Sequence, residues 1–512
     1  MKFNISNKGD VKVFAFFEDE KLSTLTKNLA NYITEKEIFK GKKNEVFLDI
    51  GPSSEKVVLL GLGKKEDFNL NTLRSAFFNA GKIFDKHKIS DVNIEIRQYS
   101  DKFCYGKTSG AIMEGLIQSQ YNFDKYLKDK KKIHPTTVNF TVLKEKKERV
   151  KEILSETESL CEGIFLTRDL VNTPSCDMYP ESLAKEAKDK LTSLGVKVEV
   201  FNKEKIEKLG MKAFLAVAQG SDREPKFIVM NYQPLKNQKS VTLVGKGLTY
   251  DSGGYAIKPA EGMVTMKTDM AGAASVIGTI YALAKNKVQQ NVTGVIASCE
   301  NMISGHSYVN GDVISSLKGT TIEVLNTDAE GRITLADSIY YGATKTNAEA
   351  IVDIATLTGA CMVALGMKCS GAFSNNPEIL DKMLDASKLS GENLWELPVS
   401  EEAEELIKGK IGDLLNIGGR YGGSLTAAAF LKHFAEGLPW IHLDIAGPSF
   451  TEKPYDYIPL GASGIPVKTL YNFCKNYKEN KTCKVKGNIT AGERSNSTKP
   501  SRSPSNFRAN VR

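Results

Sequence analysis

Two kinds of hydrophobic patterning divide the chain near residue 160. Before this point, short β-rich runs such as 11–17 and 56–63 alternate with stretches that carry apolar residues at helical spacing, such as 72–87. Alternating strands and helices are typical of an α/β domain. We therefore predict an N-terminal α/β domain over residues 1–160, with a charged helix over 144–162 connecting it to the remainder.

Beyond about residue 165 the apolar runs become more strongly β-like, and each is followed by a glycine-rich segment and a helix-like one. Uninterrupted apolar runs are typical of strands buried on both faces of an α/β sheet. We predict a larger domain over residues 161–477, with strands that include 240–244, 293–298, 322–325, 350–355 and 440–445. Ligands of such sheets bind beyond the carboxyl ends of the strands, so we expect chemistry just after these runs.

The last 35 residues, 478–512, have no periodicity and are rich in Ser, Asn, Lys, Arg and Pro, which predicts a disordered tail. Nine Lys or Arg against two Glu give this tail +7 of the chain's net charge of +8. The remaining residues are therefore close to neutral. A basic tail can bind nucleic acid without sequence preference, whereas the near-neutral body carries no such signal.

Composition indicates an ordinary globular protein, since 41% of residues are hydrophobic and 25% are charged. A chain of 512 residues exceeds a single core, which favours two domains. The first 21 residues lack the apolar core of a signal peptide, and no run approaches the ~20 apolar residues of a membrane helix. The eight cysteines are scattered, so we predict free thiols in a cytoplasmic protein without membrane contact.

Charged residues follow the predicted strands closely. They are Lys246, Asp251 and Lys258 in GKGLTYDSGGYAIKP, Asp269 in MKTDMAGAAS, and Asp328, Glu330 and Arg332 in NTDAEGR. Taken singly, each has an ordinary structural explanation. A lone Asp before Gly-Gly forms turns, one ahead of a helix caps it, and acids in a first helical turn complement the helix dipole with an arginine as partner.

Taken together, these carboxylates indicate a metal site. Like charges that converge on one crevice repel each other unless positive charge lies among them. Four carboxylates suit two divalent cations that hold and activate a water molecule. The five histidines show no H-E-x-x-H spacing, so a histidine-based zinc site is not expected. Metal ions and burial can lower the pKa of a lysine until its neutral amine coordinates, and Lys246 is the candidate.

Motifs over residues 165–475 closely resemble those of the leucyl aminopeptidase family, the dimetal cytosolic aminopeptidases. In order they are VGKG, TYDSGG, IKP, KTDMAGAA, NTDAEGR, ATLTGA, GGRYGG followed by LTAAAFL, and HLDIAG. Tyr250 and Ile333 stand where the family usually has Phe and Leu, and neither is a predicted ligand. The tail is an addition to the usual family chain.

The resemblance assigns metal ligands residue by residue. It implies that Asp251 and Glu330 contact both metal ions. Asp328 would complete one site, whereas Lys246 and Asp269 would complete the other. Carboxylate and amine ligands accommodate Zn²⁺, Mn²⁺, Co²⁺ or Mg²⁺, and affinity order does not distinguish them. We expect two divalent ions per subunit, Mn²⁺ or Zn²⁺.

The resemblance also implies catalytic and substrate-binding residues. Lys258 would stabilise the developing oxyanion, and Arg332 would hold a bicarbonate that acts as general base. Met266, Thr356 and Leu357 would shape the pocket for the first side chain, with a preference for leucine-like residues. The implied architecture is a smaller N-terminal α/β domain and a larger C-terminal αβα sandwich with a mixed central sheet, assembled as a homohexamer that acts on peptides.

Two alternatives remain open at this stage. Carboxylate-bridged metals also serve other two-metal hydrolases, such as phosphoesterases. A neutral-lysine ligand and an arginine suited to bicarbonate favour the peptidase. A role as a DNA-binding regulator is the second alternative, and the near-neutral charge of the body argues against it.

Overall fold

The structure is a computed structural model, and it describes residues 1–52, 54–97, 99 and 103–478. The predicted disordered tail therefore lies outside the described residues, apart from its first residue. Among the residues that the structure describes, no helix combines the length and apolar character that a membrane crossing requires.

The first part of the chain builds a six-stranded sheet. Its strands are β1 Lys2–Ile5, β2 Val11–Phe16, β3 Val46–Asp49, β4 Val57–Gly61, β5 Asp91–Glu95 and β6 Thr137–Thr141, and its helices are α1 Lys27–Glu35, α2 Leu70–Lys86 and α3 Tyr105–Gln118. The strand order is β1-β6-β5-β2-β4-β3, and only β3 runs antiparallel to its neighbour. The predicted runs 11–17, 56–63 and 72–87 are confirmed as β2, β4 and α2.

A long helix connects this part to the second. A 3-10 turn over Lys144–Lys146 leads into α4, Lys147–Asn172. The predicted connector over 144–162 is confirmed as helical, and the helix continues ten residues further than predicted. The predicted domain boundary after residue 160 falls within this helix and stays a prediction.

The second part of the chain contains the remaining elements. Its helices are α5 Pro180–Thr192, α6 Lys203–Leu209, α7 Lys212–Ala218, α8 Ala260–Met263, α9 Ala271–Lys285, α10 Glu330–Lys345, α11 Gly359–Leu365, α12 Pro377–Ser390, α13 Glu401–Leu406, α14 Gly423–Lys432 and α15 Val467–Lys475. Its strands are β7 Lys197–Phe201, β8 Lys226–Tyr232, β9 Ser240–Asp251, β10 Val292–Asn301, β11 Val313–Ser315, β12 Thr321–Glu323, β13 Ala348–Ala355, β14 Cys369–Ser374, β15 Asn393–Glu396, β16 Leu414–Leu415, β17 Trp440–Asp444, β18 Phe450–Thr451 and β19 Gly461–Ala462.

An eight-stranded mixed sheet organises this part, in the order β15-β14-β17-β13-β9-β10-β8-β7. The central strands β17, β13, β9 and β10 are parallel, whereas β14 and β8 run antiparallel to them. Successive side chains of β9 point to opposite faces, so Leu243 joins one buried cluster and Val244 the other. The face that carries Leu243 is covered by helices α4, α5, α9, α12 and α15. The face that carries Val244 is covered by α6, α7, α10 and α14. The predicted αβα arrangement is confirmed.

One predicted strand was assigned to the wrong sheet. The run 322–325 corresponds to β12, which pairs with β11 and β16 in a separate three-stranded sheet. Ile322 and Val324 are nevertheless buried, in the same hydrophobic cluster as Val244 of β9, which accounts for the apolar character of the run. A short apolar run indicates that a segment is buried, but it does not indicate which neighbouring strand the segment pairs with.

Strand β9 is longer than its apolar run indicates. The sequence predicts a strand over 240–244 with a glycine-rich loop after it, whereas β9 continues to Asp251. Gly245 and Gly247 allow neighbouring elements to pack closely against β9. A Cβ on Gly245 would lie 2.6 Å from Ala273 Cα in α9, and one on Gly247 would lie 2.7 Å from a backbone oxygen of β10. Lys246 therefore projects from within a strand rather than from a loop.

Candidate active site

Four carboxylates converge beyond the end of β9. Asp251 is the last residue of this central strand, and Asp269 follows a 3-10 turn over Met266–Thr268. Asp328 lies two residues before α10, and Glu330 is the first residue of that helix. Asp251, Asp328 and Glu330 each offer an oxygen within 4.8 Å of the others. We call Asp251, Asp269, Asp328 and Glu330 the carboxylate cluster.

Two lysines lie among these carboxylates. Lys246 Nζ lies 2.8 Å from Asp269 Oδ2 and 2.9 Å from Glu330 Oε1. Lys258 Nζ lies 2.8 Å from Asp251 Oδ2 and also pairs with Asp328. Lys246 is buried, whereas Lys258 is partly open to solvent. Each of the four acids thus lies beside one of only two lysine side chains, so negative charge exceeds positive charge within these pairings.

The pairing of the carboxylate cluster is incomplete. Glu330 is only 1% exposed, its Oε2 has no partner, and its Oε1 lies 2.9 Å from Lys246 Nζ without hydrogen-bond geometry. Asp269 Oδ2 and Asp328 Oδ1 lie near a lysine but also lack hydrogen-bond geometry. Burying carboxylate oxygens without donors is costly, and a bound cation relieves that cost. The residues present therefore fit divalent metal ions.

The pKa values reflect the same excess of negative charge. Burial, followed by the charge of Asp251, raises the pKa of Glu330 to about 8. Burial also raises the pKa of Asp269. Burial alone would lower the pKa of Lys246, but Asp269, Glu330 and Asp251 raise it above its usual value. Without metal, Lys246 is thus an ammonium, and its predicted neutral form requires the charge of bound metal ions.

Arg332 lies apart from this pairing. It is buried near the start of α10, and its Nη1 donates to the backbone oxygen of Asn416 at 2.8 Å, while its Nε has no hydrogen-bond partner. Burial lowers the pKa of Arg332 to about 10, so the side chain remains charged at neutral pH. In the described part of the chain, Arg332 forms no ion pair with Asp328 or Glu330. The part of the structural explanation that makes Arg332 the partner of these acids is therefore wrong, whereas Glu330 does lie in the first turn of α10.

The predicted substrate residues adjoin the carboxylate cluster to different degrees. Thr356 Oγ1 donates to Asp269 Oδ1 at 2.8 Å, and the backbone oxygen of Thr356 accepts from Lys246 Nζ at 3.1 Å. Leu357 follows directly and is half-buried. Met266 is also half-buried and opens the turn that ends at Asp269. The structure thus brings the predicted residues to one end of the main sheet.

Comparison with known proteins identifies the family. The profile of the cytosol aminopeptidase family, catalytic domain, matches residues 165–471, and that of the N-terminal domain of the same family matches residues 8–130. The chain belongs to the cytosol aminopeptidase family. A probable cytosol aminopeptidase of Clostridium tetani is 49% identical over 481 residues, which cover 93% of this chain and all of the relative. One of Treponema denticola is 46% identical over 475 residues, covering 92% and 98%.

Solved structures agree with this assignment. The bottromycin maturation enzyme BotP in complex with Mn matches with a TM-score of 0.83 at 28% identity, over 91% of this chain and 99% of that one. A variant of tomato leucine aminopeptidase matches with a TM-score of 0.83 at 30% identity, over 93% and 96%. The predicted resemblance is confirmed, and this member of the cytosol aminopeptidase family is a metal-dependent aminopeptidase.

Several residues around the carboxylate cluster were missed in the sequence. Asn301 ends β10 and donates to Asp251 Oδ1 at 2.8 Å. Asp444 ends β17 and accepts from Leu357 N at 3.2 Å and from Thr358 Oγ1 at 2.6 Å, which holds the loop after β13. Both are polar residues at the carboxyl ends of buried strands, so the signal that identified Asp251 also applies to them.

Asn416 was missed for a different reason. It follows the two-residue strand β16, accepts from Leu325 N at 2.8 Å and donates to the backbone oxygen of Asn326 at 2.6 Å. These contacts hold the beginning of the NTDAEGR segment in place, and the backbone oxygen of Asn416 also accepts a hydrogen bond from Arg332. No pattern in the sequence around residue 416 indicates them.

Proposed function

We propose that this enzyme removes the N-terminal residue, preferably a leucine-like one, from peptides and amino-acid amides with the help of two divalent metal ions, Mn²⁺ or Zn²⁺. The ligands would be Lys246, Asp251, Asp269, Asp328 and Glu330. One observation carries the proposal: the buried Glu330 offers an oxygen within 4.8 Å of oxygens of Asp251 and Asp328, and Lys246 is the one ammonium group that forms an ion pair with it among the described residues. The relative BotP has been solved in complex with Mn, which supports Mn²⁺ as one of the candidates.

The acids and Lys246 would divide the ligand roles. Asp251 and Glu330 would contact both ions, Asp328 would complete one site, and Asp269 with Lys246 would complete the other. When bound, the metal ions would polarise the scissile carbonyl and lower the pKa of a water molecule.

Lys258 would act on the carbonyl oxygen of the substrate. Its Nζ lies between Asp251 and Asp328, and these acids raise its pKa above the usual lysine value despite burial. The side chain therefore remains an ammonium at neutral pH. An ammonium held in this position can donate to the oxygen as negative charge develops on it, which lowers the barrier.

Arg332 would hold a bicarbonate as the proposed general base. Its guanidinium is fixed by Asn416 through Nη1, and its unpartnered Nε can donate to an anion. A planar guanidinium suits a planar anion because it can donate two parallel hydrogen bonds. The role of Arg332 would thus be to bind and orient the group that accepts the proton.

Met266, Thr356 and Leu357 would shape the pocket for the first side chain. Thr356 is held between Asp269 and Lys246, so the Leu357 side chain beside it has a defined position relative to the carboxylate cluster. Apolar side chains gain about 0.8 kcal/mol per buried CH₂ group, which favours leucine over alanine at such a pocket.

The proposal extends to assembly and location. We expect a cytoplasmic homohexamer. Four large apolar side chains, Val264, Val363, Ile411 and Tyr421, are at least 77% exposed on the single chain, and contact between subunits would remove them from water. Sedimentation of the purified protein would measure the assembly directly.

The decisive experiment measures release of leucine from leucinamide. Purified protein is assayed as isolated, after metal stripping, and after Mn²⁺ or Zn²⁺ is added back. We expect activity to disappear on stripping and to return with metal. N-acetyl-leucinamide is the matched control, because a blocked amine should abolish hydrolysis by an aminopeptidase. Hydrolysis of phosphate esters without release of leucine, from folded protein, would favour the alternative two-metal hydrolase.

A further inference from the structure

Asn301 lies between the two segments that carry the proposed ligands. It is fully buried at the end of β10. Its Nδ2 donates to Asp251 Oδ1 at 2.8 Å and to the backbone oxygen of Thr327 at 3.1 Å. The first acceptor ends β9, and the second belongs to the residue before Asp328. A single amide group thus contacts both segments.

The contact to Asp251 determines which oxygen of that carboxylate faces the site. Asp251 Oδ1 also accepts a hydrogen bond from Gly253 N at 2.9 Å. Two donors occupy the two lone pairs of Oδ1. Oδ2 is then the oxygen that lies beside Lys258, on the side of the other acids. Asn301 and the backbone of Gly253 therefore fix the rotation of the Asp251 carboxylate together, and Asn301 is the side chain that does so.

The contact to Thr327 fixes the segment before α10. The same backbone oxygen accepts from Tyr308 OH at 2.9 Å. The Thr327 hydroxyl donates to the backbone oxygen of Gly253 at 2.8 Å and accepts from Ala256 N at 2.8 Å. Asn301 and Thr327 together join the end of β9 to the start of NTDAEGR, so the distance between Asp251 and Asp328 depends on them.

The oxygen of the Asn301 side chain does not stabilise the fold. Its Oδ1 is buried without a hydrogen-bond partner, and a Cβ on Gly254 would lie 3.1 Å from it. A buried oxygen without a donor destabilises the fold, and an apolar residue of similar shape would avoid that penalty. The contribution of this residue therefore lies in its two donated hydrogen bonds.

We propose that Asn301 is a positioning residue of the metal centre, which sets metal affinity by orienting Asp251 and by holding Asp328 at a fixed distance from it. The proposal rests on the proposed function, in which these two acids are ligands. Outer partners that orient metal ligands typically change affinity 10- to 100-fold when they are removed. We expect a loss within this range for a variant without the amide.

The test compares Asn301, the last residue of β10, with Asn291, the residue directly before that strand. Asn301→Leu keeps the branched shape and removes both donors. Asn291→Leu is the control, because Asn291 is also buried and its Nδ2 donates to the backbone oxygens of Leu235 and Gln238, at 2.7 and 3.0 Å. This control also loses the hydrogen bond that Asn291 Oδ1 accepts from Leu235 N at 2.9 Å, so it is the more severe test of stability. Mn²⁺ affinity of the metal-stripped chains is measured by competition with a chromogenic chelator, and thermal unfolding is recorded alongside it.

We expect Asn301→Leu to bind Mn²⁺ about 10- to 100-fold more weakly than the wild-type chain. Asn291→Leu should lose thermal stability without losing affinity. Excess Mn²⁺ should restore most of the leucinamide activity of Asn301→Leu, because its defect lies in binding. If the leucine variant does not fold, Asn301→Ala replaces it with the same expectation.

Two results would count against the inference in distinguishable ways. Equal Mn²⁺ affinity of Asn301→Leu and the wild-type chain would overturn the positioning role and leave the proposed function intact. Absence of Mn²⁺ and Zn²⁺ binding by the folded wild-type chain would overturn the proposed function, and the inference with it.

Discussion

Two groups of buried charged side chains in this chain contrast in how fully their acids are paired. One is the carboxylate cluster. The other, which we call the Glu114 cluster, consists of Arg74, Glu114, Gln118 and Lys468 and joins α2 and α3 to α15. Glu114 receives hydrogen bonds from the other three members at 2.6 to 2.8 Å. Glu330 receives none and has one ion-pair partner among the described residues, Lys246, whose Nζ lies 2.9 Å from Oε1.

The pKa values follow this difference. Burial alone would raise the pKa of Glu114, but Arg74 and Lys468 lower it below the usual value. Burial raises the pKa of Glu330, and Lys246 does not compensate. A buried acid with complete pairing contributes to structure, whereas one with an excess of negative charge around it provides a place for a cation. Such perturbed groups are expected at functional sites.

Glu330→Gln should produce the largest effect on activity. The substitution keeps the shape and removes a ligand charge, so leucinamide hydrolysis should fall by more than the ~10- to 100-fold typical of losing an outer partner of a ligand. The metal-free variant should unfold at the wild-type temperature or slightly above it, because a buried carboxylate with a raised pKa has been replaced by a neutral group. Activity and thermal unfolding are measured on the same preparations.

A large loss of thermal stability in metal-free Glu330→Gln would contradict this assignment. It would mean that Glu330 serves the fold as Glu114 does. Unchanged activity at saturating metal would exclude Glu330 from the metal centre.

Glu114→Gln should show the opposite behaviour. It leaves Arg74 and Lys468 buried without a charged partner, and breaking a buried ion pair in this way typically costs about 3–5 kcal/mol. Urea unfolding should measure this loss. The folded fraction should hydrolyse leucinamide at the wild-type rate, because the Glu114 cluster contains no proposed ligand. A changed Mn²⁺ affinity would contradict the separation of the two clusters.

The pair of His442 and Asp353 lies between these extremes. His442 Nδ1 lies 2.6 Å from Asp353 Oδ1, whereas His442 Nε2 is buried without a partner. Burial alone would lower the pKa of His442, but Asp353 raises it above the usual value. A raised pKa means that the stabilisation is complete below the unfolded value near 6.5 and is lost as pH rises through the folded value.

His442→Gln should therefore destabilise the fold more at pH 6 than at pH 9. Loss of the buried contact between His442 and Asp353 should lower the free energy of unfolding by roughly 1–3 kcal/mol. The measurement is urea unfolding of the wild type and the variant across this pH range. Asn375→Ala is a suitable control, because this exposed residue contacts the neighbouring end of β17 through Trp440 N and has no titratable group. A pH-independent difference for His442→Gln would contradict the raised pKa.

The sequence predicted which acids converge better than it predicted the way in which they are held. Asp251, Asp328 and Glu330 are recognisable because charge after an apolar run is unusual and local. Asn301 carries the same positional signal, because it ends a buried strand, but that signal does not indicate its contacts, which reach residues 26 and 50 positions away along the chain. Hydrogen-bond partners of this kind depend on the sheet as a whole, so local patterns do not report them.

Strand pairing shows the same limit. The runs 240–244 and 322–325 both predict buried strands, but only the first belongs to the main sheet. Gly245 and Gly247 have the composition of a loop, yet they lie inside β9 because α9 and β10 approach too closely for a Cβ. Which neighbour approaches a glycine is a property of tertiary packing, and its sequence environment alone does not distinguish a loop from a close contact.

Arg149→Gln should have the smallest effect on the free energy of unfolding. It tests whether burial, rather than distance, determines how much an ion pair contributes. Arg149 Nη1 lies 2.8 Å from Glu152 Oε2, similar to the 2.6 Å between Arg74 and Glu114. Its side chain is 64% exposed, so water solvates both charges and the pair should contribute at most about 0.5 kcal/mol. Both residues lie on α4, and glutamine has a helix propensity close to that of arginine. Urea unfolding should therefore give the same midpoint as the wild type. A loss comparable to that of Glu114→Gln would mean that ion-pair distance outweighs burial in this protein, and the contrast between the two clusters would then need another cause.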